Sequence, residues 1–150
     1  MPKIGLNLIK NDKRRALLKE TLRLLLQEFG ENLLSVVVFG SVARGEENPE
    51  SDTDLLIVSR SFPESLIQLE ETKQHKKMRR QAINTWIQFH PLNPEEAKLH
   101  RPIYLDMVED SIIIYDRNKF IEATLSNLKR KLKELGARRI FLKDGSWHWD

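Results

Sequence analysis

Two short groups of residues in this sequence have the types and the spacing to bind a phosphate and a metal ion. Gly40-Ser41 follows an apolar run, and Asp52-Thr53-Asp54 precedes another. Because glycine has no Cβ, the backbone at Gly40 can approach a ligand closely. The Ser41 hydroxyl, with free backbone N–H groups at the start of a helical turn, would bind an anion, and phosphate is the natural choice.

The two aspartates are spaced in a way that suits a divalent cation. In an extended segment residues i and i+2 point to the same side, so the carboxylates of Asp52 and Asp54 would lie next to each other. Such carboxylates repel each other unless a cation lies between them. Mg²⁺ prefers oxygen ligands and keeps positions for water and phosphate. Together with Gly40-Ser41, the pair indicates metal-assisted nucleotidyl or phosphoryl transfer, whereas either group alone would be an ordinary loop.

The stretch 39–58 resembles the signature of the minimal nucleotidyltransferases, a branch of the DNA polymerase β-like nucleotidyltransferase superfamily. The likeness consists of Gly-Ser, ten intervening residues, Asp-x-Asp and the apolar run that follows. The resemblance implies that Gly40 and Ser41 hold the triphosphate of an NTP, for which we expect ATP. It also implies that Asp52 and Asp54 bind Mg²⁺ and carry catalysis.

The same resemblance extends to Arg44 and to the partners of the protein. Arg44 would contact phosphate or substrate, and the alternative is a surface arginine paired with Glu46 or Glu47. The acceptor hydroxyl could belong to a protein, an RNA end or a small molecule. Minimal nucleotidyltransferases often act beside a helical HEPN-type protein in toxin–antitoxin pairs, so the resemblance implies such a partner here.

Active members of the superfamily usually carry a third carboxylate on a neighbouring strand, and this sequence departs from that pattern. The strand predicted over 84–90 contains no Asp or Glu. Gln88 and His90 are its candidate substitutes, through a neutral oxygen or a base, or they have only structural roles. Three other candidate carboxylates are predicted on helices at a distance from that strand: Glu95, Asp106 and Glu109. The alternative function is therefore a degenerate module that binds nucleotide, metal or a partner without turnover.

Apolar periodicity and capping residues predict the elements that position these groups. Four short apolar segments read as strands, and the intervening amphipathic segments read as helices. The order predicts one α/β (α+β) domain over 1–150, in which helices cover a mixed sheet of about four to five strands. Strands are predicted at 33–39, 54–58, 84–90 and 111–115, with a short one near 139–142, and helices at 12–29, 63–82, from 93, 102–109 and 116–135.

Composition narrows the class of protein further. The chain has 150 residues, no cysteine and a net charge of +3. The absence of thiols excludes disulfides and thiolate zinc sites, and no apolar run is long enough for a membrane helix, so we expect a cytoplasmic protein without membrane contact. Basic residues concentrate at 73–80, which we predict to be either a solvated helix face or a contact surface for RNA or an acidic partner. The tail 147–150 would pack back, mediate self-association, or be the cut edge of a longer chain.

Overall fold

The computed structural model describes most of the chain in six segments. These segments are 3–45, 52–62, 78–80, 85–99, 102–143 and 147–149. The strands are β1 Lys3–Ile4, β2 Leu33–Phe39, β3 Thr53–Ser59, β4 Met78–Arg80, β5 Thr85–Leu92, β6 Ile112–Asp116, β7 Arg139–Phe141 and β8 Trp147–Trp149. The helices are α1 Asp12–Phe29, α2 Ser41–Arg44, α3 Pro94–Lys98, α4 Ile103–Met107 and α5 Phe120–Glu134.

The main sheet is mixed and has six strands in the order β1-β6-β2-β3-β5-β4. The pairs β2–β3 and β2–β6 are antiparallel, whereas β3–β5 is parallel. The predicted class of a mixed sheet covered by helices is confirmed. The four predicted central strands are present, and the sheet is larger than expected because two short edge strands, β1 and β4, extend it.

Helices cover both faces of this sheet. On one face, α1 packs against alternate residues of the central strands, including Val36, Val38 and Leu55. On the other face, α3, α4 and α5 pack against the intervening residues, such as Leu56 and Val58. Because side chains alternate along a strand, successive residues of β3 point in turn toward α1 and toward the helices of the opposite face. No helix in the described part of the chain is long and apolar enough to cross a bilayer.

The helix boundaries follow local capping signals, with two corrections. The N-cap of α1 is Asn11, whose side chain accepts a hydrogen bond from the Arg14 backbone N–H, and not Asp12. Asp116 accepts from the backbone of Ile121 and Glu122, as predicted, but a 3-10 turn intervenes before α5 begins. Acidic oxygens at a helix start satisfy its unpaired N–H groups.

The helix predicted over 63–82 is wrong at residues 78–80. These residues form β4, which pairs antiparallel with β5 through Met78 and Ile87. Pairing with a sheet edge outweighs helical propensity, which is a weak determinant next to tertiary contacts. The remaining residues of that prediction, including most of the basic stretch 73–80, lie outside the described residues.

A hairpin near the C-terminus confirms the strand predicted around 139–142. β7 pairs antiparallel with β8 in a separate two-stranded sheet. The indole N–H of Trp149 donates to the Leu105 carbonyl at 3.1 Å. Of the three roles predicted for the tail, packing back onto the protein is therefore present.

Candidate active site

Asp54 lies at the centre of the candidate site, between two neighbouring strands. It pairs with Phe39, the last residue of β2, and with Gln88 of β5. Because β2 and β3 are antiparallel neighbours, the last residue of β2 lies beside the first residues of β3, at the same end of the two strands. The two predicted groups, Gly40-Ser41 and Asp52-Thr53-Asp54, are thus brought together by strand pairing.

Gly40 lies directly against the Asp54 carboxylate. A Cβ at this position would be 2.6 Å from the Asp54 Oδ2 atom. The backbone angles of Gly40, φ 78° and ψ −154°, are also accessible essentially to glycine alone. The helical turn α2 begins at Ser41, as the sequence predicts. Glycine is therefore required here both for the turn and for the close approach of the carboxylate.

His90 of β5 occupies the other side of Asp54. Its Nε2 atom lies 3.1 Å from the Asp54 Oδ1 atom, and its ring meets that of Phe39 edge-on at 5.0 Å. Gln88, which stands opposite Asp54 in the parallel register, is exposed. An imidazole and an amide thus stand on β5 where the superfamily usually carries its third carboxylate.

Asp106 is close to the site, which corrects the prediction that its helix lies at a distance. Its Oδ1 atom is 3.6 Å from the Nη1 atom of Arg44, at the end of the α2 turn. Burial raises the pKa of Asp106; the Arg44 charge opposes this, and the charges of Asp110 and Asp54 add to it. Arg44 therefore pairs with a carboxylate 62 positions along the chain, and α4 brings a third acidic group to the edge of the site. Glu109 points elsewhere and pairs with Lys129.

Arg14 is a residue that the sequence analysis missed. Its guanidinium is buried, 2% exposed, and its Nη1 atom donates to the Thr53 hydroxyl at 2.6 Å. Thr53 faces α1, so Asp52 and Asp54 on either side of it face the opposite layer. The sequence feature that could have revealed Arg14 is a cationic residue within the apolar face of α1, one turn before Leu18.

The donor set of the site agrees with an oxygen-preferring metal. In the described residues, no three His, Asp or Glu side chains converge into a complete metal cage. Mg²⁺ does not require one, because one or two carboxylates together with substrate phosphates and water are enough. Asp52 and Asp54, which flank one buried threonine at the strand start, have the chemistry for that role.

Comparison with known proteins decides the family. The family model of the nucleotidyltransferase domain matches residues 18–115. This chain belongs to that family. The nucleotidyltransferase class predicted from the sequence is thereby confirmed.

One curated relative is a protein of Methanocaldococcus jannaschii that carries the name "Putative protein adenylyltransferase". It is 30% identical over 137 residues, which cover 85% of this chain and 88% of the relative. The match therefore extends well beyond the 20 residues of the signature.

Two solved structures are similar in outline to this nucleotidyltransferase. One is a toxin–antitoxin complex with AMP-PNP, at 14% identity and a TM-score of 0.48, covering 79% of this chain and 92% of that chain. The other is a tri-AMPylated Shewanella oneidensis HEPN toxin with an MNT antitoxin, at 13% identity and a TM-score of 0.45, covering 81% and 92%. Because both TM-scores are below 0.5, the family assignment rests on the sequence comparisons.

Proposed function

We propose that this protein transfers AMP from ATP to a hydroxyl group of a protein, with Mg²⁺ held by Asp52 and Asp54. The observation that carries the proposal is the contact between Gly40 and Asp54, which leaves no room for a Cβ between the phosphate-binding turn and the carboxylate. A triphosphate on this turn would have its phosphates within reach of that carboxylate. The name of the Methanocaldococcus jannaschii relative supports a protein as the acceptor class.

The residues of the site would divide the work of the reaction. Gly40 and Ser41 would hold the triphosphate, and Arg44 would neutralise phosphate charge after release from Asp106. Bound Mg²⁺ would supply charge neutralisation at the phosphates. The acceptor oxygen would bond to the α-phosphorus and lose its proton to the solvent, while the bond from the α-phosphorus to the bridging oxygen would break and release pyrophosphate. Asp54 would stay oriented by its contact with His90.

Label transfer tests this function directly. Wild-type protein is incubated with α-³²P-ATP, Mg²⁺ and candidate protein acceptors, of which a HEPN-type protein, expected from the family resemblance, is the first. Asp54→Asn and Asp52→Asn should each lower the labelling rate by about 10²-fold or more, as loss of a central electrostatic contact does. Asp12→Asn is the matched control, because that carboxylate is 88% exposed on α1. Equal labelling by wild type and both site variants would exclude the mechanism.

A specific observation also supports a second candidate, a binding module without turnover. β5 presents Gln88 opposite Asp54, and that strand has no carboxylate. Such a module would bind ATP in the presence of Mg²⁺ and release no pyrophosphate with any acceptor. A coupled pyrophosphate assay separates the candidates, since any release that is lost in Asp54→Asn rules out the module.

A further inference from the structure

A cavity of about 350 Å³ opens beside His90, on the face of the sheet that carries Asp54. It lies between the parallel strands β3 and β5 and the start of α4. His90 belongs both to the wall of this cavity and to the candidate active site, because its Nε2 atom is 3.1 Å from the Asp54 Oδ1 atom. One side chain therefore separates the cavity from the central carboxylate.

The order of the strands places this cavity on the side of Asp54 opposite the Gly40 turn. The Gly40 turn follows β2 and faces the Oδ2 atom of Asp54, whereas His90 of β5 faces its Oδ1 atom. In nucleotidyl transfer the attacking and leaving oxygens are roughly in line across the phosphorus. If the leaving pyrophosphate is held on the β2 side, the acceptor must approach from the β5 side, where the cavity opens.

The walls of the cavity favour an apolar occupant. Apart from the His90 imidazole, the side chains of the described lining are apolar, and polar backbone groups complete the wall; its most accessible members are Pro91, Leu92, Pro102 and Ile103. No lysine or arginine is among the described lining residues, although an RNA acceptor would need cations for its phosphates. The volume is at the lower end of the range for ligand pockets, which suits one or two side chains.

We propose that this cavity, named here the His90 cavity, binds an apolar side chain that flanks the acceptor hydroxyl in a protein substrate. The inference rests on the proposed function and adds to it a rule for acceptor choice. The hydroxyl would lie beside His90 and Asp54, while the neighbouring apolar residue would be inserted between Leu92 and Ile103. Burial of that side chain would position the hydroxyl for attack.

Blocked tripeptides provide the probe. Each has a central serine, threonine or tyrosine, flanked on both sides by leucine in one set and by lysine in the other; a short oligoribonucleotide with a free 3′-hydroxyl represents RNA. Label transfer from α-³²P-ATP should favour the leucine-flanked set by about 10-fold or more, the scale on which an apolar pocket discriminates. Preferential labelling of the lysine-flanked set or of the RNA would overturn the proposal.

Filling the cavity tests the same idea from the side of the protein. Ile103→Trp should raise the KM for leucine-flanked peptides by about 10-fold or more, with the KM for ATP unchanged. Leu99→Trp is the matched control, since Leu99 is exposed and lies outside the cavity lining. Ile103→Ala enlarges the cavity and serves as the second variant if the tryptophan lowers Tm substantially. A peptide KM that is unchanged in both Ile103 variants would contradict the proposal.

A binding measurement separates failure of this inference from failure of the proposed function. With Mg²⁺ and AMP-PNP present, millimolar leucine-flanked peptide should shift the methyl resonances of Leu92 and Ile103 in wild type. Shifts without any label transfer would support peptide binding in the His90 cavity and refute the transferase function. Label transfer without shifts at these two residues would refute the cavity and retain the function.

Discussion

At the scale of single residues, Gly40 has two separate reasons to be glycine. We expect Gly40→Ala to lower the free energy of unfolding by about 1–3 kcal/mol from backbone strain, and also to displace the Asp54 carboxylate. Mg²⁺-dependent ATP affinity should fall with it. Thermal unfolding and isothermal titration calorimetry measure the two effects.

Gly136→Ala provides the control for Gly40→Ala. Gly136 has φ 73°, close to the value at Gly40, but a Cβ there would meet no atom within 4 Å. It should show backbone strain of about 1 kcal/mol without any change in ATP affinity. ATP affinity in Gly40→Ala equal to wild type would show that Asp54 does not need the close approach.

Asp106 makes stability depend on pH with a definite sign. Its pKa is raised in the folded protein, chiefly by burial, so the folded state holds the proton more tightly than the unfolded state. Stability from this group is therefore greatest below the unfolded pKa of about 3.9, and falls as pH rises through the higher folded value. Asp106→Asn should raise Tm relative to wild type near pH 7.5.

The expected difference between Asp106→Asn and wild type is largest above the folded pKa and disappears below about pH 4, where both side chains are neutral. Thermal melts between pH 3.5 and 8 measure it. Asp12→Asn, a substitution of a carboxylate that is 88% exposed, is the control and should not raise Tm near pH 7.5. A Tm of Asp106→Asn below that of wild type near pH 7.5 would mean instead that Arg44 stabilises Asp106 in its charged form.

At the scale of elements, the contact between α1 and β3 fixes the start of the strand that carries Asp54. Thr53→Val keeps the β-branched shape and removes the acceptor of the Arg14 guanidinium. Loss of a buried hydrogen bond to a charged group should lower the free energy of unfolding by about 1.5–3 kcal/mol. Mg²⁺-dependent ATP affinity should also fall, because Thr53 lies between Asp52 and Asp54. Urea denaturation and calorimetry check both expectations.

Thr21→Val is the matched control for Thr53→Val. Thr21 is also buried, but its hydroxyl donates to the Leu17 carbonyl within α1 at 2.8 Å, a bond between neutral groups. Its loss should lower stability by about 0.5–1.5 kcal/mol and leave ATP binding unchanged. If Thr53→Val is no more destabilising than Thr21→Val, the Arg14 contact does not secure β3.

At the scale of the whole molecule, the C-terminal hairpin holds α4, which carries Asp106. Trp149 donates to the Leu105 carbonyl, and Arg139 of β7 pairs with Asp110 just after α4. Trp149→Phe removes one partly buried hydrogen bond, worth about 1 kcal/mol, and should lower Tm by about 2–4 °C. Leu135→Ala, at an 82% exposed position outside the hairpin, should change Tm by much less. Equal Tm values for Trp149→Phe and wild type would show that the indole hydrogen bond does not hold the hairpin.

The sequence by itself determined the central strands and the long helices, and it placed the two candidate binding groups at strand ends. The buried strands β2 and β3 are continuous apolar runs, and Gly40, Ser41, Asp52 and Asp54 stand at their ends. These features can be recognised in the sequence because each depends only on residues close together in the chain: an apolar run, a glycine, or two carboxylates two positions apart. The assignment of phosphate and Mg²⁺ to these four residues stays a prediction for the experiments above.

Only the tertiary structure decided which distant residues meet at the site. The contacts of His90 with Asp54, Arg44 with Asp106 and Arg14 with Thr53 join different elements. The tertiary structure also turned residues 78–80 from a predicted helix into the edge strand β4. The order of the strands and the packing of the helices set these contacts. The apolar periodicity of one segment does not reveal which other segments it will pack against. For the same reason the cavity beside His90, and with it the expected choice of acceptor, emerged only once β5 and α4 were placed together.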